Sequence, residues 1–207
     1  MLCEQEAAAA YGADRLLIMR LGVVAGAHDP SGRLTYYPRR VRQGGEVLWP
    51  PADTPVQWID AADLAAFTLT MCRTNASGVY NVVGTQSAGL CTRATRGDVL
   101  DACLELTAEE PAAARRANIT VAPEAFLEQG VAQWSDLPLW QPAGSALHSC
   151  SNAKAVAAGL KLCRPIKTLR AALATGAPPG PAYGLSSDSE AELLVALRRD
   201  GASAAKL

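Results

Sequence analysis

Arg15-Leu-Leu-Ile-Met-Arg-Leu21, bounded by Asp14 and Gly22, places four large apolar side chains in succession between its two arginines. No polar residue alternates with them, as it would in a strand with one wet face, so the run predicts a strand buried on both faces of a parallel sheet. Parallel neighbours need a crossover between them, and the flanking sequence offers helices on both sides. Upstream, Leu2 to Tyr11 is Ala-rich and lacks Gly and Pro, which predicts a helix that stops at Gly12. Downstream, the turn-rich Gly22 to Arg33 contains Asp29-Pro-Ser-Gly32, a turn with Pro at its second position. Leu34 to Gln43 then reads as an Arg-rich helix ended by Gly44-Gly45, and Glu46 to Trp49 as a strand.

The alternation continues. Val56-Gln-Trp-Ile59 has the period of a strand, and Asp60 with Asp63 can cap a helix over Ala61 to Arg73 through carboxylates facing its free amides. Asn75 and Gly78 close that helix, and Val79-Tyr-Asn-Val-Val83 is the next strand. Strand and helix have alternated twice, which argues for an α/β layer architecture. After Thr95 the predicted elements are mostly helices: Asp98 to Leu106, Pro123 to Gln129, Asn152 to Ala158, Lys167 to Ala174 and Asp188 to Arg199. Strands are expected there only at Ile119 to Val121 and Leu160 to Leu162. Ser187 and Glu190 have capping-box spacing, and Gly176-Ala-Pro-Pro-Gly-Pro-Ala182 is a stiff linker. No internal repeat is present.

Composition sets the class of partner. The 207 residues carry 20 acidic against 19 basic side chains, and 40 of the apolar residues are alanines, so the core is Ala-padded but sufficient for one domain of generous size. A net charge of −1 supplies no long-range attraction for nucleic acid or an anionic membrane, and neither is an expected partner. The apolar runs are short and the N-terminus lacks the basic patch and apolar core of a secretory signal, which leads us to expect a cytoplasmic protein. Six cysteines never fall as Cys-x-x-Cys. They read as buried reduced thiols rather than disulfides or a zinc site, and no metal residues are assigned.

Three phosphate-binding patterns need glycines at fixed spacing so that backbone amides can approach an anion. None of the 17 glycines forms Gly-x-Gly, Gly-x-x-Gly-x-x-Gly or Gly-Lys-Ser/Thr. A Tyr and Lys one helical turn apart are also absent; Tyr36-x-x-x-Arg40 comes nearest, and the first lysine is Lys154. His28, Asp29 and Ser31 lie too close together in one turn to make a persuasive hydrolytic triad, which needs residues converging from different elements.

Arg20-Leu-Gly-Val-Val-Ala-Gly26, followed by Asp29-Pro-Ser-Gly-Arg33, resembles the NAD-dependent epimerase/dehydratase family of extended short-chain dehydrogenases/reductases, which writes this strand Arg-Pro-Gly-x-x-x-Gly. The resemblance continues through Gly44-Gly-Glu-Val-Leu-Trp-Pro50, Val56 to Ala65 and Gly78-Val-Tyr-Asn-Val-Val-Gly84, in family order. Pro123 to Leu127, Trp134 to Trp140 and Asn152 to Leu160 look like the C-terminal substrate domain of reductase-like members. The family's first half, with its glycine loop, adenine-ribose acid and most of the sheet, has no counterpart, and Cys3-Glu4 resembles the helix just past the catalytic Tyr-x-x-x-Lys.

The resemblance implies an α/β chain made of a C-terminal remnant of a Rossmann-type parallel sheet plus a mostly helical substrate-binding domain, truncated before the cofactor loop. The expected organisation is a nucleotide-binding remnant over 1–95, a helical substrate-binding region over 96–175, and a linker, helix and tail over 176–207. Family chemistry implies hydride transfer with NAD or NADP on a small-molecule substrate, but no catalytic residue falls within this chain, and tight cofactor binding is not expected. The alternative is a non-catalytic module that docks on a second copy or a partner chain supplying the missing strands.

The resemblance puts Leu21, Gly22 and Val23 beside the nicotinamide, with Leu21 standing where the family has Pro; a strand end turning into a loop is the other reading. Arg33, Arg39, Arg40 and Arg42 cluster near Tyr36 and Tyr37 and could hold a carboxylate or phosphate, with Arg33, Tyr37 and Arg40 the residues assigned to substrate, or form a solvated helix face. Trp134 and Trp140 could close over an apolar substrate, or anchor a long loop. Asp60 and Asp63 read as helix caps before they read as acid and base.

Overall fold

The computed structural model describes residues 2–84, 94–108, 116–142, 145–176, 183–199 and 205–206. In chain order these form α1 (Leu2–Tyr11), β1 (Leu17–Leu21), β2 (Val24–Ala25), α2 (Tyr36–Gln43), β3 (Gly45–Trp49), β4 (Ile59–Asp60), α3 (Ala61–Arg73), β5 (Gly78–Val82) and α4 (Arg96–Ala108). They continue with β6 (Ala117–Val121), α5 (Glu124–Gly130), β7 (Gln133–Trp134), β8 (Leu137–Pro138), α6 (Ala153–Ala157), α7 (Pro165–Ala174), α8 (Ser187–Arg199) and β9 (Ala205–Lys206). The chain is α/β, with short, mainly parallel sheets: β1 with β5, β2 with β4, β7 with β8, and β3 with β6, to which β9 adds antiparallel.

The run that predicts a doubly buried strand forms β1, but as an edge. Leu17 to Met19 are half-buried and Arg20 and Leu21 exposed, because β5 is the only strand paired with it among the described residues. Leu17 lies opposite Gly78, whose N–H donates to Leu16 O at 2.8 Å. In a parallel ladder this register turns the N–H and C=O of Leu17, Met19 and Leu21 away from β5. Helix α1 lies nearby with no buried residue, tied to β1 by the Arg20–Glu4 ion pair at 2.6 Å.

Local chemistry explains most helix ends. Asp60 caps α3, its carboxylate accepting from the N–H groups of Ala62 and Asp63. Asp63 does not cap as expected: its Oδ2 accepts from Cys163 N–H at 2.7 Å and fastens the segment before α7. Thr95 and Asp98 form a reciprocal capping box that starts α4 two residues before the expected Asp98. At α8 the cap is Ser186, which accepts from Ser189 N–H, so the Ser187–Glu190 box is displaced by one residue and Glu190 turns inward. Leu160 to Leu162 makes no strand. Gly159, at φ +100°, closes α6, and Leu160 N–H returns to Ala155 O at 2.9 Å. Of Val56 to Ile59, only Ile59 enters a strand.

Three apolar clusters hold the molecule together. The largest joins α2, β3, α4 and α7 around Tyr37, Val47, Trp49, Val99, Cys103 and Leu169. A second gathers Leu48, Leu127, Leu137, Trp140, Leu194 and Leu197 beneath α8, and the third packs Ile59, Phe67, Met71 and Val82 beneath α3. β3 pairs with β6 across the expected division at 95/96. Cys3, Cys72, Cys103, Cys150 and Cys163 are free thiols, but Cys3, Cys72 and Cys150 are exposed rather than buried; Cys91 lies outside the described residues. Among the described residues no helix is long and apolar enough to cross a membrane.

Candidate functional site

Ligands of open parallel α/β sheets bind outside the carboxyl ends of the strands, which here means Leu21–Gly22–Val23 and Val83–Gly84. A Cβ at Gly22 would lie 3.0 Å from Val83 Cγ1, so the two strand ends touch and only glycine fits without a shift. Leu21 is 48% exposed and Val23 is half-buried against the large core. Gly26, at φ +124°, brings the chain over the start of α3, where a Cβ would sit 3.2 Å from Asp60 Oδ2. Leu21, Gly22 and Val83 thus lie together at the joined strand ends. None of these residues has the glycine spacing of a phosphate cradle.

Arg33 and Trp134 come together. The Arg33 guanidinium carbon lies 3.8 Å from the Tyr183 ring centroid and 5.6 Å from that of Trp134, within cation–π range of both. Its Nε is buried without a hydrogen-bond partner. The Trp134 ring also stacks on His148, with centroids 6.4 Å apart and planes at 23°. His148 is 3% exposed; its Nδ1 accepts from Gln57 N–H at 3.1 Å, so Nε2 donates to Leu139 O at 2.8 Å. Burial pushes the imidazole down to about 4; the Leu139 bond opposes that shift and Arg96 adds to it.

Tyr37, Arg40 and Trp140 do not meet a solute in this arrangement. Tyr37 is buried, its hydroxyl donating to Pro138 O and accepting from Arg96 Nη1 at 2.9 Å, and burial raises its pKa above the usual phenol value. Arg40 donates from Nε to Glu190 at 2.5 Å, from Nη1 to Gly44 O at 2.8 Å and from Nη2 to Glu46 O at 2.6 Å. With side chains only 12% and 2% exposed, the Arg40–Glu190 pair is architectural rather than a solvated face or an anion site. Trp140 is fully buried in the cluster under α8, its Nε1 unpartnered, and anchors its loop.

Two further groups resolve into turn and cap chemistry. Asp29 Oδ1 accepts from Ser31 N–H at 2.8 Å, Ser31 Oγ from Arg33 N–H at 3.4 Å, and His28 N–H bonds Thr175. These bonds shape a turn. Asp60, Asp63 and Cys163 bring ligand atoms within 4.8 Å of one another. Asp60 is committed to capping α3 and Asp63 to Cys163 N–H, while burial pushes the Cys163 thiol up to about 12.

Sequence reasoning missed Arg96, His148 and Tyr183. Arg96 sits in the first turn of α4, where an arginine ordinarily points to water, and Tyr183 follows the linker; neither position carries a periodic signal. His148 was visible as one of two histidines, but its partners are 91 and 9 residues away.

No family model matches the chain, and no curated protein matches it. Among solved structures, RMD from Pseudomonas aeruginosa complexed with NADPH is similar, at 16% identity and TM-score 0.47, over 84% of this chain and 53% of that one. A protein from Burkholderia cenocepacia J2315, provisionally named an epimerase, is similar at 16% identity and TM-score 0.46, over 83% of this chain and 52% of that one. The chain thus spans about half the length of these solved structures.

Proposed function

We propose that this chain is the substrate-side half of an NAD(P)-dependent epimerase, dehydratase or reductase, inactive by itself. The observation that carries the reading is the parallel β1·β5 pair, whose carboxyl ends meet at Gly22 and Val83 while the outer edge of β1 stays unpaired among the described residues. In this reading Leu21, Gly22 and Val23 line the nicotinamide side, and Arg33 with Trp134 meets the small-molecule substrate. Tyr37, Arg40 and Trp140 serve the packing of the fold rather than the substrate. The acid/base group and the phosphate cradle come, in this reading, from outside this chain. Calorimetric titration with NADPH tests it: the chain alone is expected to show no saturable binding below millimolar, and micromolar affinity overturns the proposal.

A second reading is a non-catalytic module docking on a second copy or a partner chain. The same unpaired edge favours it, together with Leu2 and Tyr11 on α1, 77% and 64% exposed. The readings separate once a polypeptide carrying the glycine loop and Tyr-x-x-x-Lys is added. Gain of NADPH binding by the mixture supports the catalytic half; association without cofactor binding supports the docking module.

A further inference from the structure

Three exposed arginines of this chain pair with carboxylates: Arg20 with Glu4, Arg164 with Glu105 and Arg198 with Glu46. Arg33 differs. Among the described residues no carboxylate pairs with it, and neither Nη1 nor Nη2 has a hydrogen-bond acceptor. Only its Nε is closed off from solvent, on a side chain that is half-buried as a whole. The two terminal nitrogens remain open, so a ligand reaches them directly from solution.

Two rings from distant segments hold Arg33 where a carboxylate would otherwise do so. Its guanidinium carbon lies over both Tyr183 and Trp134, at 3.8 and 5.6 Å. Each part of this clamp is fixed from behind. Arg33 is followed by the buried Leu34 and Thr35. Trp134 stacks on the buried His148 and takes φ of +69°, a conformation that side-chain-bearing residues enter at a cost. Tyr183 is placed by its neighbour: Gly184 N–H donates to Ser135 O at 2.7 Å, and at φ +109° a Cβ there would lie 2.1 Å from Tyr36 Cδ2. Only glycine lets the chain lie on the Tyr36 ring and carry Tyr183 onto Arg33, while Leu185 continues into the cluster under α8. The guanidinium has therefore lost much of its rotamer freedom on folding, before any ligand arrives. A guanidinium lying over ring faces keeps its N–H groups for an acceptor near its own plane, and the rings exclude water that would compete for it.

We propose that Tyr183 is a positioning residue: with Trp134 it presents the Nη1/Nη2 end of Arg33 to one oxyanion group of the substrate, a carboxylate or a phosphate. Both offer two oxygens to that fork, whereas a spherical chloride meets it with poor geometry. That the oxyanion belongs to a substrate rests on the reading of Arg33 and Trp134 given above. The affinity of the clamp for an oxyanion does not, and it is measurable without any cofactor.

Tryptophan fluorescence reads the clamp directly, because Trp134 is half-buried while Trp49, Trp58 and Trp140 are at most 1% exposed. With the whole chain at neutral pH and no NADPH, sodium phosphate titrated against sodium chloride at equal ionic strength should protect Trp134 from acrylamide quenching along a saturable curve. Sodium acetate in the same assay distinguishes a carboxylate site from a phosphate site. Arg33→Met should abolish the response, and Arg33→Lys, which keeps the charge without the fork, should weaken it roughly tenfold. Tyr183→Leu should weaken it about fivefold, and Tyr183→Phe, which keeps the ring face, should restore it. A wild-type chain that responds to neither salt overturns the oxyanion site, as does a response that survives Arg33→Met. Unchanged affinity in Tyr183→Leu, or an equal loss in Tyr183→Phe, overturns the role of Tyr183. These outcomes are separate from the cofactor titration: micromolar NADPH binding by the chain alone overturns the catalytic-half reading and leaves the phosphate response as it is.

Discussion

At the scale of single residues, His148 is the group whose surroundings most change its chemistry. Its Nδ1 accepts from Gln57 N–H and its Nε2 donates to Leu139 O, which fixes the neutral tautomer inside a core that also holds the Arg96 cation. Burial lowers its folded pKa from 6.5 to about 4. As pH falls through this range the unfolded chain takes up the proton first, so the contribution of His148 is complete above about 6.5 and drains away as pH falls towards 4. The expected slope approaches one proton, about 1.4 kcal/mol per pH unit. His148→Asn keeps an acceptor for Gln57 N–H and cannot be protonated; the difference in unfolding free energy between it and the wild type, followed by urea melts from pH 7 to 4, should carry that slope. A flat difference would show that the imidazole is not held neutral. None of this was legible in advance: a histidine in a turn-rich segment declares neither its burial nor partners remote in sequence.

At the scale of elements, the sequence disclosed strands and helices but not how their edges are closed. The periodicities at Glu46 to Trp49, Ala61 to Arg73 and Val79 to Val83 could be read because strand and helix periods depend on neighbouring residues alone. Edge closure depends on side chains arriving from far away. The outer edge of β5 is capped by Lys154 Nζ on Val79 O and Asn152 Nδ2 on Val83 O. The outer edge of β3 is capped by Arg40 on Glu46 O and by Glu190, which accepts from Leu48 N–H at 2.9 Å. Glu190 looked like half of a capping box because its spacing from Ser187 was right; burial against β3 decided otherwise. From this follows a prediction for α8. Arg40→Ala leaves the Glu190 carboxylate buried and unpaired, and should cost about 3–5 kcal/mol in urea unfolding. Arg40→Ala with Glu190→Ala should cost clearly less than the two single losses added, since the second change removes the stranded charge. Additive losses would mean that the pair does not couple α8 to the sheet.

At the scale of the whole molecule, these caps single out β1. Arg20 reaches Glu4 with its side chain, but among the described residues nothing bonds the outward N–H and C=O groups of Leu17, Met19 and Leu21, and the neighbouring α1 buries no residue. The site is legible to the same extent: Leu21, Gly22, Val23, Arg33 and Trp134 are named by the sequence, whereas the meeting of Arg33 with Trp134 and Tyr183 depends on segments far apart in the chain. An unpaired strand edge beside exposed Leu2, Tyr11, Leu21 and Val24 is a template for a further strand. The isolated chain should therefore self-associate, its mass by light scattering rising with concentration. Leu21→Lys places a charge at the exposed end of that edge. It should shift the molecule to monomer while changing stability by no more than about 0.5 kcal/mol, because the replaced side chain is at the surface. Two outcomes are incompatible with β1 as the associating edge: a wild-type chain that stays monomeric at every concentration, or oligomers that Leu21→Lys leaves intact.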